Sequence, residues 1–119
     1  MAHKLKGLLA LAVAGAIGMA YGAGEGFGGP SDGVHVIPRD GIHTFDFGFH
    51  GGYRARIVVI GDGDSDLDLS VRDQNNSLIC NDDGLSDMAA CEWTPQYSAR
   101  YAVRVKNYGM ANRYRIMTN

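Results

Sequence analysis

Hydrophobic and polar residues alternate along most of the chain beyond residue 34. The alternation is clearest in two stretches, where apolar side chains recur at every second position: Phe45, Phe47 and Phe49, and Leu67, Leu69 and Val71. Successive side chains of a β-strand point to opposite faces, so this period predicts strands with one buried and one wet face. The run Ile57–Ile60 is continuously apolar and predicts a strand covered on both faces.

Further runs of this kind are separated by Gly, Asn and Asp turn signals and lie at 53–60, 77–81, 88–93, 100–106 and 112–118. We expect 77–81 to pair with 88–93 as one hairpin, and 100–106 with 112–118 as another. No window after the first 22 residues shows the 3.6-residue apolar period of a helix. The sequence predicts one all-β domain over 34–119, an antiparallel β-sandwich of about seven or eight strands.

The first 22 residues have the order of an export signal. Basic residues precede an apolar run from Leu8 to Ala20, and small residues follow it. The run is shorter than the roughly 20 residues that span a bilayer, so we expect a cleaved signal peptide and no membrane span after cleavage. Cleavage after Gly22 is expected, with cleavage after Ala20 or Ala23 left open. The protein is therefore predicted to be periplasmic or secreted.

Loss of residues 1–22 changes the charge of the chain. The full sequence of 119 residues has a net charge of −2, whereas loss of Lys4 and Lys6 leaves 9 basic against 13 acidic side chains, a net charge of −4. An exported acidic protein lacks the basic footprint of a nucleic-acid binder. Residues 23–33 contain five of the 17 glycines and predict a flexible lead-in.

Cys80 and Cys91 are the two cysteines of the chain, and the turn signal Asn81–Gly84 lies between them. Export would place both thiols in an oxidising compartment, and two antiparallel strands on either side of the turn could bring them face to face. We therefore expect a disulfide, which would stabilise so small a domain by about 3 kcal/mol.

Five segments, in this order and spacing, are similar to the bacterial pre-peptidase C-terminal (PPC) domain family: Gly61–Asp73, Ser77–Asp83, Trp93–Pro95, Tyr101–Asn107 and Asn112–Ile116. The resemblance runs from about Phe45 to Thr118. It implies a jelly-roll-like β-sandwich of the kind usually appended to secreted peptidases and related to the collagen-binding modules of bacterial collagenases, some of which hold calcium. Because this sequence includes no catalytic domain, we expect an accessory role in trans or another function on the same scaffold.

Asp62, Asp64, Asp66 and Asp68 recur at every second position. Closely spaced carboxylates repel one another unless a cation or a basic partner intervenes, and hard oxygen ligands suit Ca²⁺. The four residues are therefore candidate calcium ligands. An EF-hand is excluded because its glycine and final glutamate positions are occupied by Leu67 and Asp73. The alternative is that the aspartates keep a strand edge soluble and pair with arginines of neighbouring strands.

Arg104 and Lys106 share one face of a predicted strand, and Arg113 and Arg115 share one face of the next. The predicted hairpin would merge them into a cationic patch for an anionic partner such as lipopolysaccharide, another polysaccharide or an acidic protein. The alternative is an ordinary solvated sheet face crossed by weak ion pairs.

Catalytic patterns are missing from the sequence, which has no G-x-S-x-G elbow, no HExxH motif and no cysteine expected to be free. We expect a non-catalytic module with two possible roles. The first is a calcium-assisted binder of a polymer or protein outside the cytoplasm. The second is a structural or interaction protein of the cell envelope that holds no metal and uses the basic hairpin face.

Overall fold

The computed structural model describes residues 31–63 and 65–119. These residues form eight β-strands and no helix. The strands are β1 (Ser31–Ile37), β2 (Ile42–Phe49), β3 (Ala55–Ile60), β4 (Leu67–Arg72), β5 (Leu78–Asp82), β6 (Met88–Trp93), β7 (Ala99–Asn107) and β8 (Asn112–Thr118). Within this part of the chain there is accordingly no helix of the length and apolarity that a membrane crossing requires.

Two four-stranded antiparallel sheets pack face to face. Sheet 1 has the order β1-β8-β3-β6, and sheet 2 has the order β2-β7-β4-β5. All connections cross from one sheet to the other except the turn that joins β4 to β5. This is the jelly-roll arrangement, and it confirms the predicted antiparallel β-sandwich.

Both predicted hairpins are wrong. Strand β5 pairs with β4 in sheet 2, whereas β6 pairs with β3 in sheet 1. Likewise β7 pairs with β2 and β4, whereas β8 pairs with β1 and β3. The turns at 83–87 and 108–111 therefore carry the chain across the sandwich instead of folding it back within one sheet.

The core consists of the inward side chains of both sheets, and it follows the predicted alternation. Tyr101 and Tyr114 are buried, and the half-buried Trp93 packs against Phe49 and Tyr101 with ring centroids 5.1 Å away in each case. Strand β3 differs from its prediction because it is covered on one face only. Ile60 is exposed and Val58 is half-buried on the outer face of sheet 1.

The Cys80–Cys91 disulfide confirms the predicted pair, but it joins β5 of sheet 2 to β6 of sheet 1. Both are edge strands, so the bond closes one open side of the sandwich. The Asp82 carboxylate crosses the same gap and accepts a hydrogen bond from the backbone N–H of Ala90 at 2.9 Å.

Strand β1 begins at Ser31, three residues before the predicted start of the domain at residue 34, because it pairs with β8 from Ser31 onward. Asp32 and Gly33 therefore belong to a strand and not to a flexible lead-in. The predicted signal peptide over 1–22, and the rest of the lead-in up to residue 30, lie outside the described residues.

Candidate functional site

The outer face of sheet 2 brings the two sets of predicted site residues together. In the β4–β7 ladder, Asp68 lies opposite Lys106 and Ser70 lies opposite Arg104. All four side chains have outward parity, since the alternate residues of both strands point into the core. Opposite residues on one face of an antiparallel pair have Cβ atoms about 5 Å apart. An acidic and a basic segment, more than 30 residues apart in sequence, thus become direct neighbours.

Asp68 is fully buried, with 0% of its surface exposed, although it is on the outer side of the sheet. Ser70, two positions along the same face, is only 8% exposed. A carboxylate that loses its hydration is costly unless cationic or hydrogen-bonding groups compensate. The ladder places Lys106 opposite Asp68, so a positive charge lies on the same face as the buried carboxylate. This part of the sheet face is buried, unlike a freely solvated one.

Tyr108 lies at the end of this face, just beyond β7. Its ring is in cation–π contact with Lys106, whose Nζ is 4.9 Å from the ring centroid. Its backbone N–H donates to the carbonyl oxygen of Asp66 at 2.9 Å. Partial burial raises the pKa of the Tyr108 hydroxyl, the nearby Arg104 guanidinium lowers it, and the Asp66 and Asp83 carboxylates raise it.

We name this surface the Asp68 patch; it comprises Asp66, Asp68, Ser70, Arg104, Lys106 and Tyr108. Arg104 and Tyr108 of the patch are exposed and Asp66 and Lys106 are half-buried, whereas Asp68 and Ser70 are buried. Such a set can hydrogen-bond a ligand that carries hydroxyl, amide or acidic groups.

The predicted quartet of aspartates is not one cluster. The backbone N–H of Asp62 donates to Asn112 Oδ1 at 3.0 Å, and its carboxylate accepts from the backbone N–H of Arg113 at 3.3 Å. These bonds hold Asp62 against sheet 1, whereas Asp66 and Asp68 are on the side of sheet 2. Asp64, the remaining member, lies outside the described residues.

A calcium site needs six to eight oxygen ligands. Among residues 31–63 and 65–119, no group of three or more His, Cys, Asp or Glu side chains is arranged to hold a metal ion. Of the predicted quartet, Asp66 directly precedes β4 and Asp68 lies within it.

The predicted cationic patch of four residues does not form. Arg104 and Lys106 are on the outer face of sheet 2, whereas Arg113 and Arg115 are on the outer face of sheet 1, because β7 and β8 belong to different sheets. Arg115 forms a bidentate ion pair with Asp32, with nitrogen–oxygen distances of 2.8 and 2.5 Å. The four basic residues therefore lie on two separate surfaces, one on each sheet.

Several other aspartates have structural roles. Asp73 Oδ1 accepts the N–H groups of Asn75 and Ser77 at 2.8 and 2.9 Å and so forms the β4–β5 turn. Asp87 accepts from the side-chain amide of Asn112 at 2.7 Å and from the backbone N–H of Gly63. These carboxylates fix the loops through those hydrogen bonds.

Sequence reasoning missed Ser70 and Tyr108 as members of the patch. Ser70 has the same parity as Asp68, so the alternation in β4 contains its signal. Tyr108 follows the strand that pairs with β4, and that pairing cannot be read from local sequence.

No protein-family model matches the sequence, and no curated protein is significantly similar to it.

Proposed function

We propose that this protein is an exported, non-catalytic binding or accessory module that recognises a polysaccharide or a protein outside the cytoplasm through the Asp68 patch. The observation that carries the proposal is the grouping of the accessible Arg104, Lys106 and Tyr108 around the buried Asp68 and Ser70 on the outer face of sheet 2. A solvated sheet face has no need to order its polar side chains, whereas a binding surface gains affinity when they are ordered in advance.

Export is supported by the signal-like order of residues 1–22 and by the Cys80–Cys91 disulfide, a bond that persists in oxidising compartments. The similarity of five segments to PPC domains supports an accessory role, and the jelly-roll sandwich is the fold that this similarity implies.

The binding test uses the exported protein and insoluble polymers, with peptidoglycan, chitin and gelatin as probes. We expect retention on at least one polymer, and a loss of tenfold or more when Arg104→Gln removes a patch donor. Arg100→Gln is the matched control, since it removes a guanidinium from the same outer face outside the patch, where it pairs with Asp46 at 3.0 Å. Equal retention of both variants would contradict the role of the patch.

We propose calcium as an assisting ligand, held by Asp66 and Asp68, with Asp64 as a further candidate from its place in the sequence. Carboxylate oxygens match the preference of the ion for hard oxygen ligands. A ligand that binds the folded state must raise the melting temperature, so millimolar calcium should stabilise the protein and Asp66→Asn should abolish the effect. No shift in the unaltered protein would reject the calcium proposal and leave the polymer test unaffected.

The second candidate is an interaction protein of the cell envelope that holds no metal. The position of Lys106 opposite Asp68 favours it, because a lysine there can balance the buried carboxylate without a metal ion. Its basic surface would be Arg104 and Lys106 alone, since Arg113 and Arg115 are on the other sheet. Absence of a calcium shift, combined with retention of a protein partner, would distinguish this candidate from the first.

A further inference from the structure

Two histidines of neighbouring edge strands face each other at one open side of the sandwich. His35 belongs to β1, an edge strand of sheet 1, and His43 belongs to β2, an edge strand of sheet 2. The turn between these strands is closed by a hydrogen bond from the backbone N–H of Gly41 to the carbonyl oxygen of Pro38 at 2.9 Å. This short connection places the two imidazole rings across the gap between the sheets.

The two rings are near the separation that one shared metal ion requires. Their centroids are 6.2 Å apart, and their planes are inclined by 76°. Imidazole nitrogens bind zinc at about 2.0–2.1 Å, which places the centroids of two ligating rings roughly 5 to 6 Å apart. The difference is small enough for rotation of the side chains to close it.

Each ring has a nitrogen atom that can face a metal ion. The Nδ1 atom of His43 is 2.7 Å from the Tyr114 hydroxyl oxygen. A neutral imidazole carries one proton on its two nitrogens, so donation from Nδ1 to this oxygen leaves the lone pair on Nε2. The ring of His35 makes no hydrogen bond within the described part of the chain. Its Nε2 and Cδ2 atoms lie toward Gly33, so Nδ1 is on the opposite edge of the ring.

The surroundings keep both rings uncharged at neutral pH. Burial lowers the pKa of His35, and burial together with the charge of His35 lowers the pKa of His43 to about 4. A metal ion binds an unprotonated nitrogen, so neither ring has to lose a proton first. Phe45 lies against His35 with ring centroids 5.1 Å apart. Such an apolar wall limits the access of water to a metal site.

We propose that His35 and His43 bind one divalent transition-metal ion of the copper and zinc class, with Tyr114 as a positioning residue for His43. Imidazole nitrogen suits these ions, whereas calcium and magnesium prefer oxygen ligands. A hydrogen bond to the second nitrogen of a ligating histidine orients the ring and raises its basicity. Water would complete the coordination, because residues 31–63 and 65–119 place no third His, Cys, Asp or Glu with the pair.

The bound ion would join the two sheets at the side opposite the disulfide. The Cys80–Cys91 bond connects the edge strands β5 and β6, whereas the histidines belong to the edge strands β1 and β2. An ion held by the folded arrangement alone stabilises that arrangement by mass action. The site does not depend on the function proposed for the Asp68 patch, and it takes a different class of ion from the calcium proposed there.

The test is calorimetric titration of the protein with copper and zinc ions in separate arms. All samples carry His3→Gln, because the N-terminal amine and His3 supply nitrogen ligands of their own wherever the first residues are retained. We expect one equivalent of each ion to bind, copper more tightly than zinc.

Matched substitutions assign the ligands. His35→Gln and His43→Gln should each weaken the binding of both ions tenfold or more, whereas His50→Gln, at an exposed position after β2, should leave the affinity unchanged. Tyr114→Phe should weaken binding about tenfold, whereas Tyr101→Phe, the same change at another buried tyrosine, should not. Melting temperatures without metal show which variants are folded.

Electron paramagnetic resonance of the copper-loaded protein gives a readout that needs no change to either ligand. We expect hyperfine coupling to two imidazole nitrogens. Coupling to one imidazole or to none, or no binding at millimolar copper and zinc, would overturn the proposal. So would binding that His50→Gln weakens as much as His43→Gln does. Equal affinities of the two tyrosine variants would overturn the role of Tyr114.

Discussion

The Nδ1 atom of His43 lies 2.7 Å from the hydroxyl oxygen of Tyr114, and this contact joins the two sheets at the edge opposite the disulfide. His35 of β1 lies beside the pair, with its ring centroid 6.2 Å from that of His43 and 5.7 Å from that of Tyr114. One open side of the sandwich is thus closed by a covalent bond and the other by half-buried histidines.

Acid should destabilise the histidine edge. Burial, and to a smaller extent the charge of His35, lowers the pKa of His43 to about 4, and burial also lowers the pKa of His35. The unfolded chain, whose histidines titrate near 6.5, therefore binds more protons than the folded chain between about pH 6.5 and 4. The stability supplied by the neutral rings is full above that range and falls as the pH falls through it.

The measurement is the free energy of unfolding from urea titrations at several pH values. The free energy of unfolding should fall on acidification, and we expect His43→Gln to remove part of that fall. This part is on the order of 1 kcal/mol after allowance for the partial exposure of the ring. His50→Gln, a change at an exposed position, is the control and should leave the slope unchanged. If the free energy of unfolding changes with pH to the same degree in all three proteins, His43 is not the cause of the acid destabilisation.

Removal of the disulfide should cost more than a substitution in an ordinary edge strand. The Cys80→Ala and Cys91→Ala double variant lacks the covalent bond between the two sheets and should lose about 3 kcal/mol of unfolding free energy. Dithiothreitol should destabilise the unaltered protein and not the double variant. Two reactive thiols in the native protein would show that the bond is not made.

Asn107 should be one of the most sensitive polar positions of the fold. It is fully buried, and its amide donates to the carbonyl oxygens of Pro38 and Met110 at 3.1 and 2.7 Å. Its Oδ1 atom accepts from the backbone of Gly109 at 3.1 Å and from the hydroxyl of Ser65. The residue therefore holds three loops together at one end of the sandwich.

Asn107→Ala leaves these groups without their partner and should lower the free energy of unfolding by about 2 to 4 kcal/mol in urea titrations. Asn75→Ala, at an exposed turn position whose backbone makes the hydrogen bond, should change it by less than about 0.5 kcal/mol. Similar losses in the two variants would show that the buried network is not the cause.

Gly51 and Gly52 are adjacent, but substitution should act through different mechanisms. A Cβ atom on Gly51 would overlap the backbone of Tyr97, whereas one on Gly52 would meet open space. Gly52 instead has a φ of 82°, in the left-handed region that disfavours side chains. Gly51→Ala must push two loops apart and should cost about 1 to 3 kcal/mol, while Gly52→Ala should cost about 1 kcal/mol.

Thermal melting can check both glycine variants against Gly84→Ala. Gly84 has an ordinary backbone conformation, and its added Cβ would make only a normal contact with Asp82 at 3.5 Å. We expect that variant to match or slightly exceed the unaltered melting temperature. If Gly84→Ala destabilises as much as Gly51→Ala, close packing is not the reason for the loss.

The burial pattern could be predicted from sequence because it is a local property. Alternation within β7 placed Tyr101 in the core and Arg104 outside, and both positions are confirmed. The pairing of strands could not be predicted in the same way. A short turn can fold back within a sheet or cross to the opposite sheet, and the packing of distant strands decides between these paths.

The path of each turn, within a sheet or across the sandwich, determined which predicted site residues became neighbours. A β7–β8 hairpin would have joined Arg104 to Arg113, whereas the actual ladder joins it to Ser70. The predicted aspartates are on different sheets for the same reason. Asp62 is hydrogen-bonded to β8 of sheet 1, whereas Asp68 lies in β4 of sheet 2. Local patterns identified the chemical groups, and nonlocal pairing decided which of them meet.

The pairing of β1 with β8 fixes when this domain can become complete. Residues 31–37 pair in their ladder with residues 112–118, so among the described strands the first to be synthesised must wait for the last. Sheet 1 cannot close until β8 has been made, and a chain that is still extended before that point has no finished sheet to undo. The order of assembly is thereby set by topology.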